Sequence, residues 1–239
     1  FQFLRHAPQV KRIRVATPLF MPLLLHGKYV RKTSKTLSVK GMDVSCTLYD
    51  FVMQLGKLLL CLVKHIAFSC PSHKSKLKKF AEGQDGLLQS IRVKLGDCSR
   101  DIFWLHVASL GEYAVARPII KQMHTDGNVI LLTVFSPSAY EVLCERSKKE
   151  DEADYVFYLP WDTQGNARQF LDIVHPAKAI FIISEYWINY LRELGRRHIP
   201  TYFVSSLIPD NSYLLKWYAR PIRKAIPKHT AFMVSDEGS

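Results

Sequence analysis

The sequence lacks the cysteine patterns that mark a zinc site or a disulfide framework. Its five cysteines include no CxxC pair and no zinc-type spacing with histidine. Their odd number and scattered positions also argue against paired disulfides, so a reducing, cytoplasmic environment is the simpler assumption. We therefore expect no metal site, and no motif in the sequence requires a cofactor.

Acidic residues are missing from the first 41 positions, which carry nine lysines and arginines. Residues 1 to 100 hold 18 basic against 5 acidic side chains, whereas the rest of the chain is nearly balanced. A basic segment predicts an anionic partner. No nucleic-acid reading motif or aromatic platform accompanies the charge, which argues against nucleic acid and favours an anionic membrane surface.

Residues 1 to 41 also show no sustained helical or strand period, and they begin with Phe1 and precede Met42. We expect them to be a basic extension that is foreign to the fold, such as an upstream or tag-like segment. A basic arm that binds the membrane is the alternative interpretation.

No apolar run is both long and sufficiently free of charge for a comfortable bilayer span. The nearest candidate, residues 48 to 69, contains four ionisable side chains: Asp50, Lys57, Lys64 and His65. A basic run follows it: Lys74, Lys76, Lys78 and Lys79. The pattern predicts a membrane-associating helical segment over residues 42 to 80, with its helix either in the lipid interface or packed on the protein's own core.

After residue 100, apolar runs of strand length alternate with amphipathic segments of helix length. Strands are predicted near residues 102 to 107, 129 to 134, 155 to 159, 179 to 183, 201 to 204 and 231 to 234. Helices are predicted near residues 112 to 124, 138 to 145, 163 to 174, 185 to 198 and 212 to 225. This alternation predicts an α/β domain, residues 81 to 239, with a Rossmann-like parallel sheet and helices on both faces.

The first informative motif is HVASLGEY, residues 106 to 113, which joins the first predicted strand to its helix. Gly111 allows a sharp backbone turn, and Glu112 opens the helix. Ligands of open α/β sheets bind beyond the carboxyl ends of the strands, so this carboxylate lies where chemistry is expected. The structural alternative is that Glu112 only complements the helix dipole.

The second motif, SEYWINYLRELGRRHIP at residues 184 to 200, repeats the arrangement after the fourth predicted strand, with Glu185 opening a helix. Two carboxylates therefore converge on one edge of the sheet. Four side chains at helical spacing are predicted to belong to the core: Trp187, Tyr190, Leu191 and Leu194. Glu185 is open to the same structural alternative, that of a helix-start residue.

Together these segments resemble the N-terminal domain of the bacterial 3-deoxy-D-manno-octulosonic acid (Kdo) transferase family. That domain reads ASLGE, then TxFSPSGYE, then ADYVFYLPxDTxxNARxFLDxVHPxxAIF, then ExWPNYLxEL. The matching stretches here are residues 108 to 112, 133 to 141, 153 to 181 and 185 to 194. The resemblance covers residues 48 to 239, and several long motifs in the right order make it specific.

The resemblance implies a two-domain glycosyltransferase of the GT-B kind, whose first domain holds the acceptor and whose second binds the donor CMP-Kdo. It further implies an inverting, metal-independent transfer to a lipid A precursor, lipid IVA, in lipopolysaccharide biosynthesis. The expected location is the cytoplasmic face of the inner membrane, peripheral or with a single anchor. By residue-by-residue carry-over Glu112 matches the general base, and Ser109, Gly111 and Glu185 match acceptor-binding or supporting positions.

Four departures from the family pattern concern the acceptor side of the domain. Ile183 and Ile188 stand where family members often have Lys and Pro. Residues 83 to 91 replace an Arg-rich loop, and residues 207 to 209 stand where an arginine is common. Because arginine suits bidentate phosphate binding, we expect weakened phosphate-directed contacts.

The sequence ends at Ser239, where the family pattern continues into a linker and the donor domain. We therefore expect these residues to be the acceptor-side half of the enzyme and to be inactive alone. The alternative is a non-catalytic, single-domain remnant that binds an anionic lipid or glycolipid. A domain used only for assembly would explain neither retained acid.

Overall fold

The computed structural model describes residues 11–14, 44–68, 76–96, 98–149, 152–183, 185–206, 214 and 216–234. The strands in these ranges are β1 (Lys11–Arg14), β2 (Ile102–Val107), β3 (Val129–Val134), β4 (Tyr155–Tyr158), β5 (Lys178–Ile182), β6 (Thr201–Ser206) and β7 (Ala231–Val234). The helices are α1 (Val44–Phe68), α2 (Lys76–Gly83), α3 (Leu87–Leu95), α4 (Leu110–Thr125), α5 (Pro137–Arg146), α6 (Gln164–Val174), α7 (Ile188–Arg196) and α8 (Arg220–Ala225). A 3₁₀-helix, Trp217–Ala219, precedes α8.

These strands form one parallel sheet in the order β1-β7-β6-β5-β2-β3-β4. From β2 the chain builds outward through β3 to β4, then returns to the other side of β2 and builds outward again through β5, β6 and β7. The direction reverses between β2 and β5. Such a topological switch point is where open α/β sheets bind their ligands. The predicted Rossmann-like α/β fold is confirmed.

The sheet is covered on both faces, which explains why its central strands are apolar throughout. Every residue of β2 and β3 is buried. On one face α3, α6 and α7 pack around Trp104 and Phe181. On the other face α4 and α5 pack around Leu105 and Ile120. The prediction of helices on both faces is therefore also confirmed.

Most predicted boundaries lie within three residues of the observed ones, and the larger differences have local causes. Strand β1 was not predicted, because its sequence KRIR has a single apolar residue and no measurable period. It is an edge strand held by backbone pairing with β7. The last predicted helix appears as a 3₁₀ turn followed by α8, and residues 207–213 and 215 lie outside the described residues.

One side of α1 packs against the domain, as one of the two predicted placements requires. The Trp161 indole N–H donates to the carbonyl oxygen of Met53 at 2.8 Å. Arg192 of α7 pairs with Asp50 at 3.2 Å. A Cβ atom on Gly56 would lie 2.7 Å from the Trp161 ring, so glycine at this position permits the close approach of the helix.

The other side of α1 is apolar and exposed. Its large exposed side chains are Leu48, Phe51, Val52, Leu55, Leu58, Leu59 and Leu62. By length and composition residues 46–63 are apolar enough to cross a membrane, and none of that stretch is buried in the described part of the chain. The helical prediction is confirmed, and α1 combines a docked side with an apolar side that no described residue covers.

Candidate active site

Two loops meet at the switch point, one after β2 and one after β5. The first ends at Ser109 and leads into the first turn of α4, which carries Glu112, and the second carries Glu185 and Trp187. The two carboxylates are close enough for the charge of Glu185 to raise the pKa of Glu112. The structure thus brings together the two acids that the motifs predict, at the carboxyl edge of the sheet where open α/β sheets bind their ligands.

Glu112 takes part in capping α4. The Ser109 hydroxyl oxygen accepts a hydrogen bond from the Glu112 backbone N–H at 3.4 Å. The Glu112 carboxylate accepts in turn from the backbone N–H of Ala108 at 2.5 Å. This reciprocal pattern is close to a capping box. Glu112 therefore has the role at the helix start that the sequence offered as the structural alternative. This role leaves further lone pairs of a half-buried carboxylate available for chemistry.

The electrostatic surroundings of Glu112 suit a proton acceptor. Burial raises the pKa of Glu112 above its usual value, and the nearby charge of Glu185 raises it further. The hydrogen bond from Ala108 acts in the opposite direction but is outweighed. A carboxylate with a raised pKa binds a proton more strongly, which is the property that a general base needs.

Gly111 was predicted to form the turn before the helix but lies inside α4. Helix α4 begins at Leu110, so Gly111 lies inside its first turn, and it is not among the glycines that have a positive φ. The predicted sharp turn at Gly111 is therefore wrong. Apart from the adjacent residues and the backbone of α4 itself, only the Ser109 hydroxyl oxygen lies within 4 Å of the place where a Cβ atom would be, at 3.8 Å. The backbone at Gly111 is thus open to close approach by a ligand.

Glu185 does not open a helix. Helix α7 begins at Ile188, with Trp187 as its N-cap, and Glu185 lies in an irregular segment before it. The helix-start interpretation of Glu185 is therefore wrong, because the helix dipole acts mainly within the first turn. The Glu185 carboxylate is 24% exposed and lies 3.8 Å from Nε2 of His106.

His106, at the end of β2, is a site residue that the motifs contained but did not single out. Its ring is fully buried, with Nδ1 at 2.9 Å from Thr133 Oγ1 and Nε2 at 3.0 Å from the Trp187 indole nitrogen. An indole N–H can only donate, so Nε2 accepts and the neutral ring carries its proton on Nδ1. His106 and Glu185 are therefore neighbours without forming an ion pair in this state.

Trp187 faces this site and is only half-buried. Its ring packs against Phe135, with 5.3 Å between centroids, and edge-to-face against His106 at 5.8 Å. The other three residues of the predicted apolar stripe are buried in the core: Tyr190, Leu191 and Leu194. Trp187 precedes α7 and packs, partly buried, against the same core, so its core prediction holds in part. Its position two residues from a motif acid was the signal that could have identified it.

The backbone beside the site is strained in two places. Ile183, directly after β5, has a φ of 64°, and Ser205 in β6 has a φ of 56°. Left-handed backbone costs a non-glycine residue on the order of 1–3 kcal/mol and is least favourable for a β-branched one. The Ile183 N–H donates to Val204 O at 2.8 Å, and the Ser206 hydroxyl donates to Ile183 O at 2.7 Å. Strain held in this way at the ends of adjacent strands is typical of functional sites.

The segment at residues 83 to 91, which departs from the family's arginine-rich loop, makes structural contacts. The Gln84 side chain donates to Leu159 O at 3.0 Å and accepts from the Trp161 N–H at 2.8 Å, which ties α2 to the loop before α6. Residues 84 to 89 also line a cavity of about 320 Å³ together with Lys57 and Trp161. Residues 207 to 209, the other departure, lie outside the described residues. Within the described ranges no three His, Cys, Asp or Glu side chains gather into a metal-binding group.

A model of the 3-deoxy-D-manno-octulosonic-acid transferase (kdotransferase) family matches residues 75–239 of the chain. That stretch is well over half of the sequence, and it contains the switch point and both candidate acids. The chain belongs to the Kdo transferase family. Its parallel sheet with helices on both faces is consistent with the N-terminal domain of a GT-B glycosyltransferase.

Curated proteins are similar to parts of this Kdo transferase family chain. A 3-deoxy-D-manno-octulosonic acid transferase of Aquifex aeolicus is 36% identical over 84 residues, which are 35% of this chain and 23% of the relative. The Haemophilus influenzae enzyme of the same name is 33% identical over 101 residues, 41% of this chain and 22% of the relative. A bifunctional glycosyltransferase/methyltransferase of Fusobacterium nucleatum is 23% identical over 114 residues, 47% and 18%. The chain thus spans less than a quarter of the length of these relatives.

Proposed function

We propose that this chain is the acceptor-side half of a glycosyltransferase that moves Kdo from CMP-Kdo to a lipid A precursor, lipid IVA. The observation that carries the proposal is the pairing of Glu112 with Glu185 at the switch point, inside the residues that match the family. The acceptor would lie over the crevice beyond β2 and β5, and CMP-Kdo would be held by a second domain.

The proposed reaction assigns a proton to Glu112. The oxygen of an acceptor hydroxyl forms a bond to the anomeric carbon of Kdo while the bond from that carbon to the phosphate oxygen of CMP breaks. CMP leaves with the electron pair, the configuration at the carbon inverts, and the hydroxyl proton passes to the Glu112 carboxylate. The raised pKa of Glu112 supports this assignment, because it increases the affinity of the carboxylate for that proton.

Glu185 has a supporting role in this proposal. Its charge contributes to the raised pKa of Glu112, and its partly exposed carboxylate can accept a hydrogen bond from an acceptor hydroxyl. Ser109 and Gly111 are assigned to acceptor binding, since they lie beside Glu112 at the start of α4 and the backbone at Gly111 is open.

The proposed location is the cytoplasmic face of the inner membrane, peripheral or with a single anchor. The apolar side of α1 supports a lipid contact. Trp217 is 85% exposed and Tyr218 56%, and both precede α8, which packs against α1. Tryptophan and tyrosine are enriched where proteins meet the lipid–water interface, so this pair favours the same surface.

Part of the predicted basic run is paired with carboxylates. Lys78 lies 3.9 Å from Glu82, and Lys79 lies 2.5 Å from Glu141. These carboxylates neutralise part of the predicted basic run, while Lys74 lies outside the described residues. We therefore expect apolar contact to supply most of the membrane affinity.

The transfer can be tested with the complete gene product, CMP-Kdo and lipid IVA, by measuring the mass of the lipid product. We expect a product that has gained Kdo, and a strong loss of that product with Glu112→Gln. A complete, folded protein that yields no such product would contradict the proposed function.

The second candidate is a non-catalytic domain that binds an anionic lipid or glycolipid. The replaced arginine-rich loop favours the loss of catalysis, because Gln84 is engaged in structural contacts at that place and offers no charge to orient an acceptor phosphate. The exposed apolar side of α1 would still support binding to a lipid. Binding of lipid IVA with no Kdo transfer in the same assay would favour this alternative.

A further inference from the structure

Asp162 is a fully buried carboxylate that lies outside the candidate site. Its two carboxylate oxygens accept from the backbone N–H groups of Asn189 and Tyr190, both at 3.3 Å. Its carbonyl oxygen accepts from the Asn189 side-chain amide at 2.9 Å. The N-cap residue Trp187 offers α7 no side-chain hydrogen bond, so Asp162 caps this helix from a distant part of the chain.

The same carboxylate is also held by α1. The Tyr49 hydroxyl donates to Asp162 Oδ2 at 2.5 Å. One oxygen atom therefore joins α1 to the first turn of α7. Because the carboxylate is charged at neutral pH, these bonds are charge-assisted and stronger than those between neutral groups.

The first turn of α7 leads directly into the candidate site. Trp187 immediately precedes it and donates its indole N–H to His106 at 3.0 Å. Glu185 lies two residues earlier. Both residues lie in the short irregular segment directly before the capped turn, so a displacement of the turn moves the backbone that carries them.

We propose that Tyr49 and Asp162 form a joint through which α1 sets the position of Glu185 and Trp187 in the site. Helix α1 is then a positioning element of the site as well as an apolar surface. The effect on transfer rests on the proposed function, whereas the effect on the position of Trp187 does not. A change in the packing of α1, such as one caused by contact with lipid, therefore changes the position of Glu185 through the hydrogen bond between Tyr49 and Asp162.

Asp50 offers a matched control on the same helix. Its carboxylate pairs with Arg192, one turn into α7, at 3.2 Å. Tyr49→Phe and Asp50→Asn each remove one polar contact that docks α1. Only Tyr49→Phe removes a bond to the group that caps α7. In Asp50→Asn the Asp162 cap keeps its bonds and Arg192 keeps its bond to Asn189 at 3.1 Å, so a general loosening of α1 affects both variants and the joint affects one.

The test follows the indole N–H resonance of Trp187 in the 239-residue chain labelled with ¹⁵N-tryptophan, assigned with Trp187→Phe. We expect Tyr49→Phe to shift this resonance and Asp50→Asn to leave it in place. Asp162→Asn, which weakens the cap itself, should shift it in the same direction as Tyr49→Phe. In the complete gene product, Tyr49→Phe should lower kcat on the order of 10-fold through misplacement of the site, with KM for lipid IVA nearly unchanged.

An unshifted resonance in Tyr49→Phe, or equal shifts in Tyr49→Phe and Asp50→Asn, would overturn the joint. A shifted resonance with an unchanged kcat would overturn its positioning role. If the complete wild-type protein transfers no Kdo, the proposed function fails on its own, and the resonance still decides whether the joint exists.

Discussion

Glu112 combines a structural bond with a proposed chemical role in one side chain. Its carboxylate accepts from the Ala108 N–H and thereby supports the start of α4. The same bond holds the carboxylate near the switch point, where burial and the charge of Glu185 raise its pKa. A helix cap therefore positions the proposed base, and the capping role and the proposed chemical role are compatible in one side chain.

The first prediction separates these two roles of Glu112. Glu112→Gln keeps the size of the side chain and an acceptor oxygen for the Ala108 N–H but removes the basicity. In the complete enzyme we expect turnover to fall on the order of 10²-fold or more, the usual scale for loss of a general base. The free energy of unfolding should change by only about 0.3–1 kcal/mol, from the lost charge at a helix start.

Glu145→Gln, at an exposed carboxylate on α5, is the control for Glu112→Gln and should leave turnover unchanged. A folded Glu112→Gln enzyme that transfers Kdo at the wild-type rate would refute the base role and direct attention to Glu185.

The second prediction concerns the bond between Trp187 and His106. Trp187→Phe keeps an aromatic ring against Phe135 but leaves the buried Nε2 of His106 without its donor. A buried polar group without a partner costs about 1–3 kcal/mol, so chemical denaturation should show a loss of that size. Trp217→Phe, at an 85% exposed tryptophan, should change the unfolding free energy by less than about 0.5 kcal/mol. Equal losses in the two variants would show that the His106 bond contributes nothing.

The proximity of the two acids of the candidate site was predictable from the sequence, whereas their neighbours were not. Glu112 and Glu185 stand in motifs that follow strands, and parallel strands end at the same edge of a sheet. His106 and Trp187 lie in the same motifs, but their contact joins residues 81 positions apart and depends on where α7 starts. That start is set by Asp162, and no local pattern around residue 185 contains it.

At the scale of elements, the docking of α1 depends on a close approach to Trp161. The indole is fixed by its bond to Met53 O and cannot swing away without losing that bond. A methyl group on Gly56 would lie 2.7 Å from the ring, so either the ring or the helix must move. The sequence predicted an amphipathic helix here, but its docked side could not be identified without the partner tryptophan.

The third prediction follows from this contact. Gly56→Ala improves the helix propensity of α1 but overpacks the Trp161 contact, and we expect a net destabilisation of about 1–3 kcal/mol with an altered Trp161 fluorescence. Gly165→Ala is the matched control, since Gly165 lies in α6 with open space around it. It should be neutral or stabilising by up to about 1 kcal/mol. Similar unfolding free energies for the two variants would mean that α1 is not held against Trp161.

The fourth prediction concerns the pH dependence that Asp162 gives to the α1–α7 contact. Burial raises the pKa of Asp162 from 3.8 to about 6. Between pH 3.8 and about pH 6 the Asp162 carboxyl is protonated in the folded chain and ionised in the unfolded chain. The free energy of unfolding therefore falls as pH rises through this window, and this loss of stability is complete above about pH 6. The shift corresponds to roughly 3 kcal/mol. Unfolding free energies of wild type relative to Asp162→Asn should fall by this order from pH 3.5 to 7, and parallel pH profiles would contradict the assignment.

At the scale of the whole molecule, periodicity was sufficient for the fold because each central strand is apolar throughout and each covering helix is amphipathic. The six strands from β2 to β7 lie where alternation predicts them. The order of the strands was not predicted, because periodicity locates each strand in the sequence but does not identify its neighbours in the sheet. Strand β1 was not predicted, because edge pairing through the backbone requires no hydrophobic period in a sequence such as KRIR. Whether residues 1 to 41 as a whole belong to the fold stays a prediction.

The last prediction is that the whole chain binds anionic vesicles through the apolar side of α1. Leu55 and Leu59 are 46% and 52% exposed, one turn apart, and no described residue covers them. Burying both in lipid is worth several kilocalories per mole at most, so Leu55→Ser with Leu59→Ser should weaken binding about 10-fold or more in co-sedimentation. Val93→Ser, at a 69% exposed valine on α3, is the control and should bind like wild type.

The salt dependence of binding separates apolar from electrostatic attraction. Binding should weaken only modestly as salt rises, because Lys78 and Lys79 already pair with carboxylates and salt does not screen the apolar contact. Undiminished binding of the double variant would reject α1 as the membrane contact, and a steep salt dependence would assign the affinity to basic residues instead.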